Sequence, residues 1–484
     1  MGMQAERRWS AWVNGSEYAG TGGRLFDVEE PAVGRTLAQV VKLNEEDVGY
    51  AVGVASGAFE DGRWANVSAT ARGKALLKLA QRIRDSARNL AELETRQVGK
   101  PISDAYDEVM TAADCFEFYA GAANKVHGHT IPVSAPGLDY TLRVPVGVVA
   151  LIVPWNFPFL ITAWKVAPAL AMGNSVIVKP ASLTPITALI LGPLAQAAGV
   201  PDGVFNVITG PGREVGEALV KDPRVDKIAF TGETSTGSRI LQLAAADIKR
   251  VSLELGGKSP TIVFADVDVD RVAQLTVQSA YANGGQDCCA RSRVLVHESI
   301  AEEYQESLVE HARRLKIGDP LDPDVQMGPL VSAAHRQRIQ AFIRDGVAEG
   351  AQLVLDPQTI DLPEAGHYLG PAVFVKPPDD ARIVREEIFG PVTTVQTFRT
   401  EDEAIRLANA TDYGLSGSVF SRDLGQALRV AHRVRSGTMS VNSIKSVHLE
   451  SPFGGFKKSG LGRELGVEAL DLYTEVKNVF VGLD

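Results

Sequence analysis

Cysteine is scarce in this 484-residue chain, which has three. None sits in a CxxC pair or at Cys/His ligand spacing, and a structural zinc site needs about four nitrogen or sulfur ligands. No resident metal and no disulfide framework are therefore expected, and so little cysteine fits a reducing, cytoplasmic compartment. An excess of basic charge is also lacking: 49 Lys and Arg face 59 Asp and Glu, a net charge of −10, so nucleic acid is not an expected partner. The start, MGMQAERRWSAWVNG, has no apolar h-region and predicts no secretory signal. One 19-residue run, VGVVALIVPWNFPFLITAW (146–164), lacks any formal charge. Pro154, Asn156 and Pro158 nevertheless interrupt it where a spanning helix must keep its backbone hydrogen bonds closed. No membrane span is expected; the run reads as a buried strand over 146–153, a polar turn, and a helix from about Phe159.

What is present is an ordinary globular balance, 45% hydrophobic and 22% charged, enough for two to four domains at roughly 100–200 residues each. Residues 45–120 show helical apolar spacing, broken at Gly99 and Pro101. Strands then alternate with helices: VGVVALIV, NSVIVKP, VFNVITG, DKIAFTG and KRVSLELGG are β-rich runs separated by helical stretches. That alternation predicts a parallel, doubly wound sheet. A second series (SPTIVF, RVLVH, AVFVKP, TTVQTF, GSVFS) predicts another α/β domain from about residue 257. DYTLRVPV (139–146) and LYTEVKNVFVGL (472–483) are extended segments without helical partners, and such strands pair with each other or with another subunit.

Two glycine-rich turns follow strands. VITGPGREVG carries Gly210, Gly212 and Gly216, one residue too long for GxGxxG; IAFTGETSTG carries Gly232 and Gly237 before a helix. Either turn suits a pyrophosphate at a helix N-terminus, and either is equally read as an ordinary strand-to-helix turn. Lys179 closes the strand VIVKP, where a cofactor hydroxyl or phosphate, or plain solvent, is its natural partner. Cys288 and Cys289 share the loop GQDCCA, and as neighbours they fit a metal half-site, a redox pair, inert core, or a nucleophile with a companion. Glu254 ends an apolar strand, where an acid is costly to bury without a task or partner. Asn156 is a polar amide between two prolines, suited to turn formation or to donating to an oxyanion.

Six ordered stretches, PWNFP, AFTGETSTG, LELGGKSP, GQDCCA, EEIFGPV and SPFGGFKKSGLGRELG, resemble the NAD(P)-dependent aldehyde dehydrogenase superfamily over essentially the full length. The resemblance implies two doubly wound open-sheet α/β domains, one Rossmann-like for the cofactor and one catalytic, plus a small β oligomerisation arm. The implied ranges are 1–124 with 145–256, then 257–457, then 125–144 with 471–484. It implies Cys288 as nucleophile with Cys289 as a packing neighbour, Glu254 as general base and Asn156 as oxyanion amide. Lys165 and Glu464 are then accessory proton-relay residues. Cofactor contacts implied are Lys179, Ser182, Gly212, Gly216, Phe230, Gly232, Glu233, Leu255, Glu387, Phe389 and Trp155, with Lys179 and Glu387 at the two riboses. The cofactor implied is NAD. Ser182 stands where NAD-preferring relatives often carry a glutamate, so NADP is an expected second choice.

The implied reaction takes an aldehyde to a carboxylic acid through a cysteine thiohemiacetal and thioester. The aldehyde tunnel is expected near Phe157, Trp164 and Phe453, with two acids, Asp287 and Glu450, standing out. GQDC also resembles some aminoaldehyde dehydrogenases, which tilts a broad aldehyde range toward ω-aminoaldehydes. Rival readings are a CoA-acylating dehydrogenase, whose members usually lack a glutamate at the position of Glu254, and a non-catalytic structural relative. A homo-oligomer, dimer or tetramer, is the expected assembly.

Overall fold

A computed structural model describes residues 8–483; residues 1–7 and 484, the outer ends of the first and last ranges above, lie outside the described residues. The helical N-terminal reading resolves into four helices, Glu45–Glu60, Ala69–Asp85, Ala87–Val98 and Ile102–Ala122. Asn44 starts the first by accepting the Asp47 N–H while Asp47 caps back, a reciprocal box. Gly99, at φ +94°, ends the third in the left-handed conformation that a side chain disfavours.

The first sheet has a parallel core in the spatial order Arg250–Glu254, Lys227–Thr231, Val148–Ile152, Ser175–Lys179, Phe205–Val207. Val148–Ile152 is laid down first; the next two strands add on one side and the following two on the other. At such a reversal, helices leave on opposite faces and open a crevice beyond the carboxyl ends of the strands. Trp155–Asn156, Lys179, Gly232 and Glu254 all lie at or just past those ends. The strands Val148–Ile152 and Ser175–Lys179 are buried throughout, because helices cover both faces. Antiparallel edges complete the sheet: Ala11–Val13 and Ser16–Tyr18 at one side, Gly460–Leu461 at the other.

The second sheet runs Gln352–Leu355, Ala372–Val375, Val392–Phe398, Arg293–His297, Pro260–Val263, Ser416–Phe420, Thr438–Val441, parallel except at its first pair. It too reverses, at Pro260–Val263. The α/β, two-sheet fold class read from the sequence is therefore the fold observed. The two lone extended segments pair with each other: Thr474–Gly482 lies antiparallel to Gly137–Pro145, from Thr474 opposite Pro145 to Gly482 opposite Gly137. Thr130–Ile131 flanks the other side, so among the described residues the outer edge of Thr474–Gly482 carries no partner strand. A further three-stranded sheet, Arg8–Trp9, Arg35–Val41 and Leu25–Glu30, had no counterpart in the sequence reading. No helix among the described residues is long and apolar enough to cross a membrane.

Candidate active site

The helix Val269–Ala280 ends in a left-handed run, Asn283 (φ +49°), Gly284 (+64°) and Gly285 (+71°), that turns the chain sharply into the cysteine loop. A Cβ at Gly285 would lie 2.3 Å from the Gly390 carbonyl oxygen, so the loop seats against FGPV only because this residue is glycine. A set of buried hydrogen bonds ties the loop down. The Asn156 amide donates to the Gln286 carbonyl at 3.0 Å, and the Asn283 amide donates to the Asn156 carbonyl at 3.1 Å. The Gln286 amide donates to the Asn283 carbonyl at 2.8 Å, while its oxygen accepts the Val331 N–H at 2.9 Å. The PWNFP turn and the cysteine loop are thereby one buried unit. Gly257 lets the Cys288 carbonyl come close; a Cβ there would sit 2.5 Å from it.

Cys288 is half-buried, whereas Cys289 and Cys115 are buried. The two adjacent sulfurs are 3.9 Å apart. Asp287 accepts the Cys289 N–H at 2.8 Å. The neighbouring Cys289 thiol, burial, and the Asp287 and Glu387 carboxyls all raise the Cys288 thiol pKa well above its ordinary value. Forming the thiolate thus requires a base or an incoming charge. No protein acceptor takes the Cys288 N–H among the described residues.

Glu254 is buried, and neither of its carboxyl oxygens has a hydrogen-bond partner. Burial first, and Glu464 second, raise its pKa well above the carboxylate range, against the pull of Lys165 and Arg463. Gly454 makes room for this side chain, since a Cβ there would meet a Glu254 oxygen at 2.7 Å. Lys165, fully buried, forms an ion pair with Glu464, of which 3% is exposed. Strand pairing of Gly460 with Glu254 brings this C-terminal segment to the acid.

On the cofactor side, Lys179 is buried and desolvation alone lowers its amine to about 8, with no counter-charge beside it. Glu387 accepts the Gly257 N–H at 2.9 Å through one oxygen, and burial lifts its carboxyl to about 7. The Trp155 and Phe389 rings meet edge to face at 5.3 Å. Phe389 holds a left-handed φ of +60°, and the ring of His335, kept neutral by burial, donates to its carbonyl at 2.8 Å. The Ser182 hydroxyl donates to the Gly210 carbonyl at 2.9 Å. Gly212–Gly216 forms a π-helical turn, and a Cβ at either terminal glycine would meet nothing within 4 Å. Glu233 precedes the helix Thr234–Ala244, and buried Phe230 packs its ring against Gly232. Leu255 donates its N–H to the Ser459 carbonyl at 2.9 Å and packs on Gly237. An uncompensated buried amine, an acid with a free oxygen and an open glycine turn fit a polyhydroxylated dinucleotide.

Among the residues expected at the tunnel, Trp164 and Phe453 stack edge to face at 5.8 Å. Phe157 lies under the Lys100 ammonium, 4.1 Å from its centroid. Glu450 is exposed. Several residues went unread in the sequence: Gln286 and Asn283 as staples, Ser459, Lys100 and Lys227. Ser459 donates to the Gly256 carbonyl at 2.7 Å and accepts the Gly414 N–H at 2.9 Å, joining the two sheets' loops. A lysine between glycine and proline, VGKP, was the available sequence signal for Lys100, which the fold buries.

Comparison with known proteins matches residues 18–479 to the model of the aldehyde dehydrogenase family. Human retinal dehydrogenase 2 is 42% identical over 473 residues, covering 97% of this chain and 91% of the relative. The structure of an NAD-dependent aldehyde dehydrogenase from Sinorhizobium meliloti superposes with a TM-score of 0.97 at 41% identity, covering 99% and 95% of the two chains. That of betaine aldehyde dehydrogenase from Staphylococcus aureus in complex with NAD+ gives a TM-score of 0.96 at 37% identity, covering 98% and 95%.

Proposed function

The chain belongs to the aldehyde dehydrogenase family, and from that premise we propose that it oxidises an aldehyde to the carboxylic acid with NAD+ through a covalent intermediate on Cys288. The observation that carries this reading is the stapled unit of Asn156, Asn283 and Gln286, which supports an amide donor fixed beside a half-buried thiol. The Cys288 thiolate adds to the aldehyde carbon, forming a C–S bond and an oxyanion. The second Asn156 amide hydrogen and the Cys288 N–H receive that charge, a contribution of about 3–4 kcal/mol per donor in such sites. Bound NAD+ would supply, in its nicotinamide ring, the hydride acceptor that turns the thiohemiacetal carbon into a thioester. Lys179 and Glu387 would hold its ribose hydroxyls, with Trp155 and Phe389 beside the ring and the Gly212–Gly216 turn, Gly232 and Glu233 on the phosphate side. Glu254 takes a proton from water, the hydroxide adds to the thioester carbon, and the C–S bond breaks to restore the Cys288 thiolate. Lys165 and Glu464 then carry the proton away from Glu254.

Glu254 favours hydrolysis over transfer to a thiol acceptor, and intact Cys288, Glu254 and Asn156 speak against a non-catalytic role. The partition into a cofactor part (1–124, 145–256), a catalytic part (257–457) and an arm (125–144, 471–484) belongs to the same reading. So does a homodimer or tetramer in which the free edge of Thr474–Gly482, with Val476 and Phe480 exposed, meets a neighbour.

For substrate we propose a broad aliphatic and aromatic range, supported by Phe157, Trp164 and Phe453, with a tilt toward ω-aminoaldehydes supported by Asp287 beside the nucleophile. Burial raises the Asp287 pKa, while its bond to the Cys289 N–H and the nearby Arg291 and Lys100 charges oppose that rise. A charge 4 Å from an ammonium at an effective dielectric of 20 is worth about 4 kcal/mol before desolvation. Values of kcat/KM for 4-aminobutanal, butanal and succinate semialdehyde test it, on wild type and Asp287→Asn. 4-Aminobutanal leads in wild type and loses that lead in the variant; a win for succinate semialdehyde, or an unchanged ranking, refutes the charge argument. No NADH from any aldehyde would refute the function itself.

A further inference from the structure

We propose that Asp287, Cys288 and Cys289 form a reversible, inhibitory binding site for a thiophilic divalent cation such as Zn2+. The Cys288 and Cys289 sulfurs are 3.9 Å apart. Two thiolates on one tetrahedral zinc, each at about 2.3 Å, are separated by about 3.8 Å. The adjacent sulfurs thus already span the edge of a zinc tetrahedron. A carboxyl oxygen of Asp287 and both sulfurs lie within 4.8 Å of one another, the one group of three such ligands among the described residues. Asp287 is anchored by the Cys289 N–H, so its carboxyl turns toward the sulfurs rather than away.

Three ligands leave the fourth position open to water. That is the pattern of an exchangeable site, whereas closed structural sites use four protein ligands. Because Cys288 is half-buried, the ion enters by whatever path admits the aldehyde. On binding, two S–Zn bonds form and two thiol protons leave to solvent. Two thiolates and a carboxylate against Zn2+ leave a net charge of −1, which faces the buried Arg291 guanidinium held on the Cys289 carbonyl. No oxidant is involved. Occupancy removes the Cys288 lone pair from the aldehyde, so bound metal and turnover exclude each other. Inhibition, though not binding, rests on the reading of Cys288 as nucleophile.

The test uses the full-length protein, reduced and freed of metal. Cd2+ titration is followed by the ultraviolet thiolate-to-metal charge-transfer band, and Zn2+ inhibition by NADH production. Wild type takes up one Cd2+ per chain with the band and is inhibited by Zn2+. Cys289→Ser keeps its turnover, loses half or more of the band and weakens Zn2+ inhibition by at least about tenfold, the loss that even an outer-shell change brings. Asp287→Asn keeps both sulfurs, and with them the band, at weaker Cd2+ affinity. Zn2+ inhibition of Cys289→Ser equal to wild type, or no band in wild type, overturns the site. A wild-type band without turnover would instead sink the oxidation reading and leave the metal site standing.

Discussion

Lys165→Met should be among the most damaging single changes near the site that leaves Cys288 in place. It strands the Glu464 carboxylate, 3% exposed, without the ammonium that pairs with it. Breaking a buried pair from one side costs about 3–5 kcal/mol, because the remaining charge stays buried. One Glu464 oxygen has no partner even in the intact protein, so the pair is imperfectly satisfied and its removal as a unit should cost little. The double variant Lys165→Met/Glu464→Gln is therefore more stable than Lys165→Met, with a coupling of about 1–3 kcal/mol. Lys227 makes the penalty depend on pH. Burial, and then Lys165, lower its amine to about 7. A lysine depressed in the fold contributes stability above its unfolded pKa, and that stability is lost as pH falls through the folded value. Removing Lys165 raises the folded value, so less is lost on acidification, and the Lys165→Met penalty is smaller below about pH 7 than above it. Denaturant midpoints of the four proteins of the cycle at pH 6 and 8.5 measure both effects. If the double variant falls by the sum of the singles at both pH values, the side chains act independently and the reasoning fails.

Cys288→Ala should abolish aldehyde oxidation while Cys289→Ala keeps most of it; a dead Cys289→Ala with an active Cys288→Ala would reverse the assignment in a steady-state NADH assay. Glu254→Gln should give a burst of NADH followed by a slow steady rate in rapid mixing. In wild type, that steady rate should climb with pH through a midpoint well above ordinary carboxylates, because burial and Glu464 hold the proton on Glu254; a Gln variant with the same climb would remove Glu254 as the base. Ser182 brings no negative charge against a 2′-phosphate, so NADP should support measurable turnover below that with NAD, and its complete failure at saturating concentration counts against the charge argument. Deleting residues 472–484 strips the partner from Gly137–Pro145 and should break the oligomer in light scattering; an unchanged mass would show that assembly does not use this arm.

The parts of the site legible in the sequence were those held by local punctuation. Gly99 ends a helix where the pattern breaks, and Pro154 to Pro158 mark a turn after a buried strand because Pro154 cannot continue the strand's ladder and Pro158 suits the first position of the helix Pro158–Ala171. The parallel sheets followed from strands alternating with helices. The N-terminal strands up to Val41 were missed because they are short or only partly buried and lack the apolar run that betrays a fully buried one: Arg35–Val41, central in its sheet, mixes exposed and buried residues without alternation, and Ser16–Tyr18 has none buried. Spacing alone also left Cys288 and Cys289 undecided. Their burial separates them, one half-accessible and one enclosed, and burial depends on Gly257 and Gly390, from distant parts of the chain, and on Gly285, which lets the loop seat against Gly390.

The stretch SPFGGFKKSGLGRELG shows why the pairing of Lys165 with Glu464 was reached through resemblance and not through residue spacing. As one signature it looks like a single loop with one purpose. In the fold its residues separate within a few positions. Phe453 stacks on Trp164, Ser459 binds Gly256 and Gly414, Gly460 pairs with Glu254, and Glu464 returns to Lys165. Each partner is more than 40 residues away, on another element. The side chains reach them because Gly460 and Gly462 adopt φ values of +158° and +96°, and a Cβ at Gly460 would lie 2.4 Å from the Leu253 carbonyl. Such glycines are visible in a sequence only as flexibility. The backbone approach they permit carries Glu464 to Lys165, the pair to which the proposed function hands the proton from Glu254.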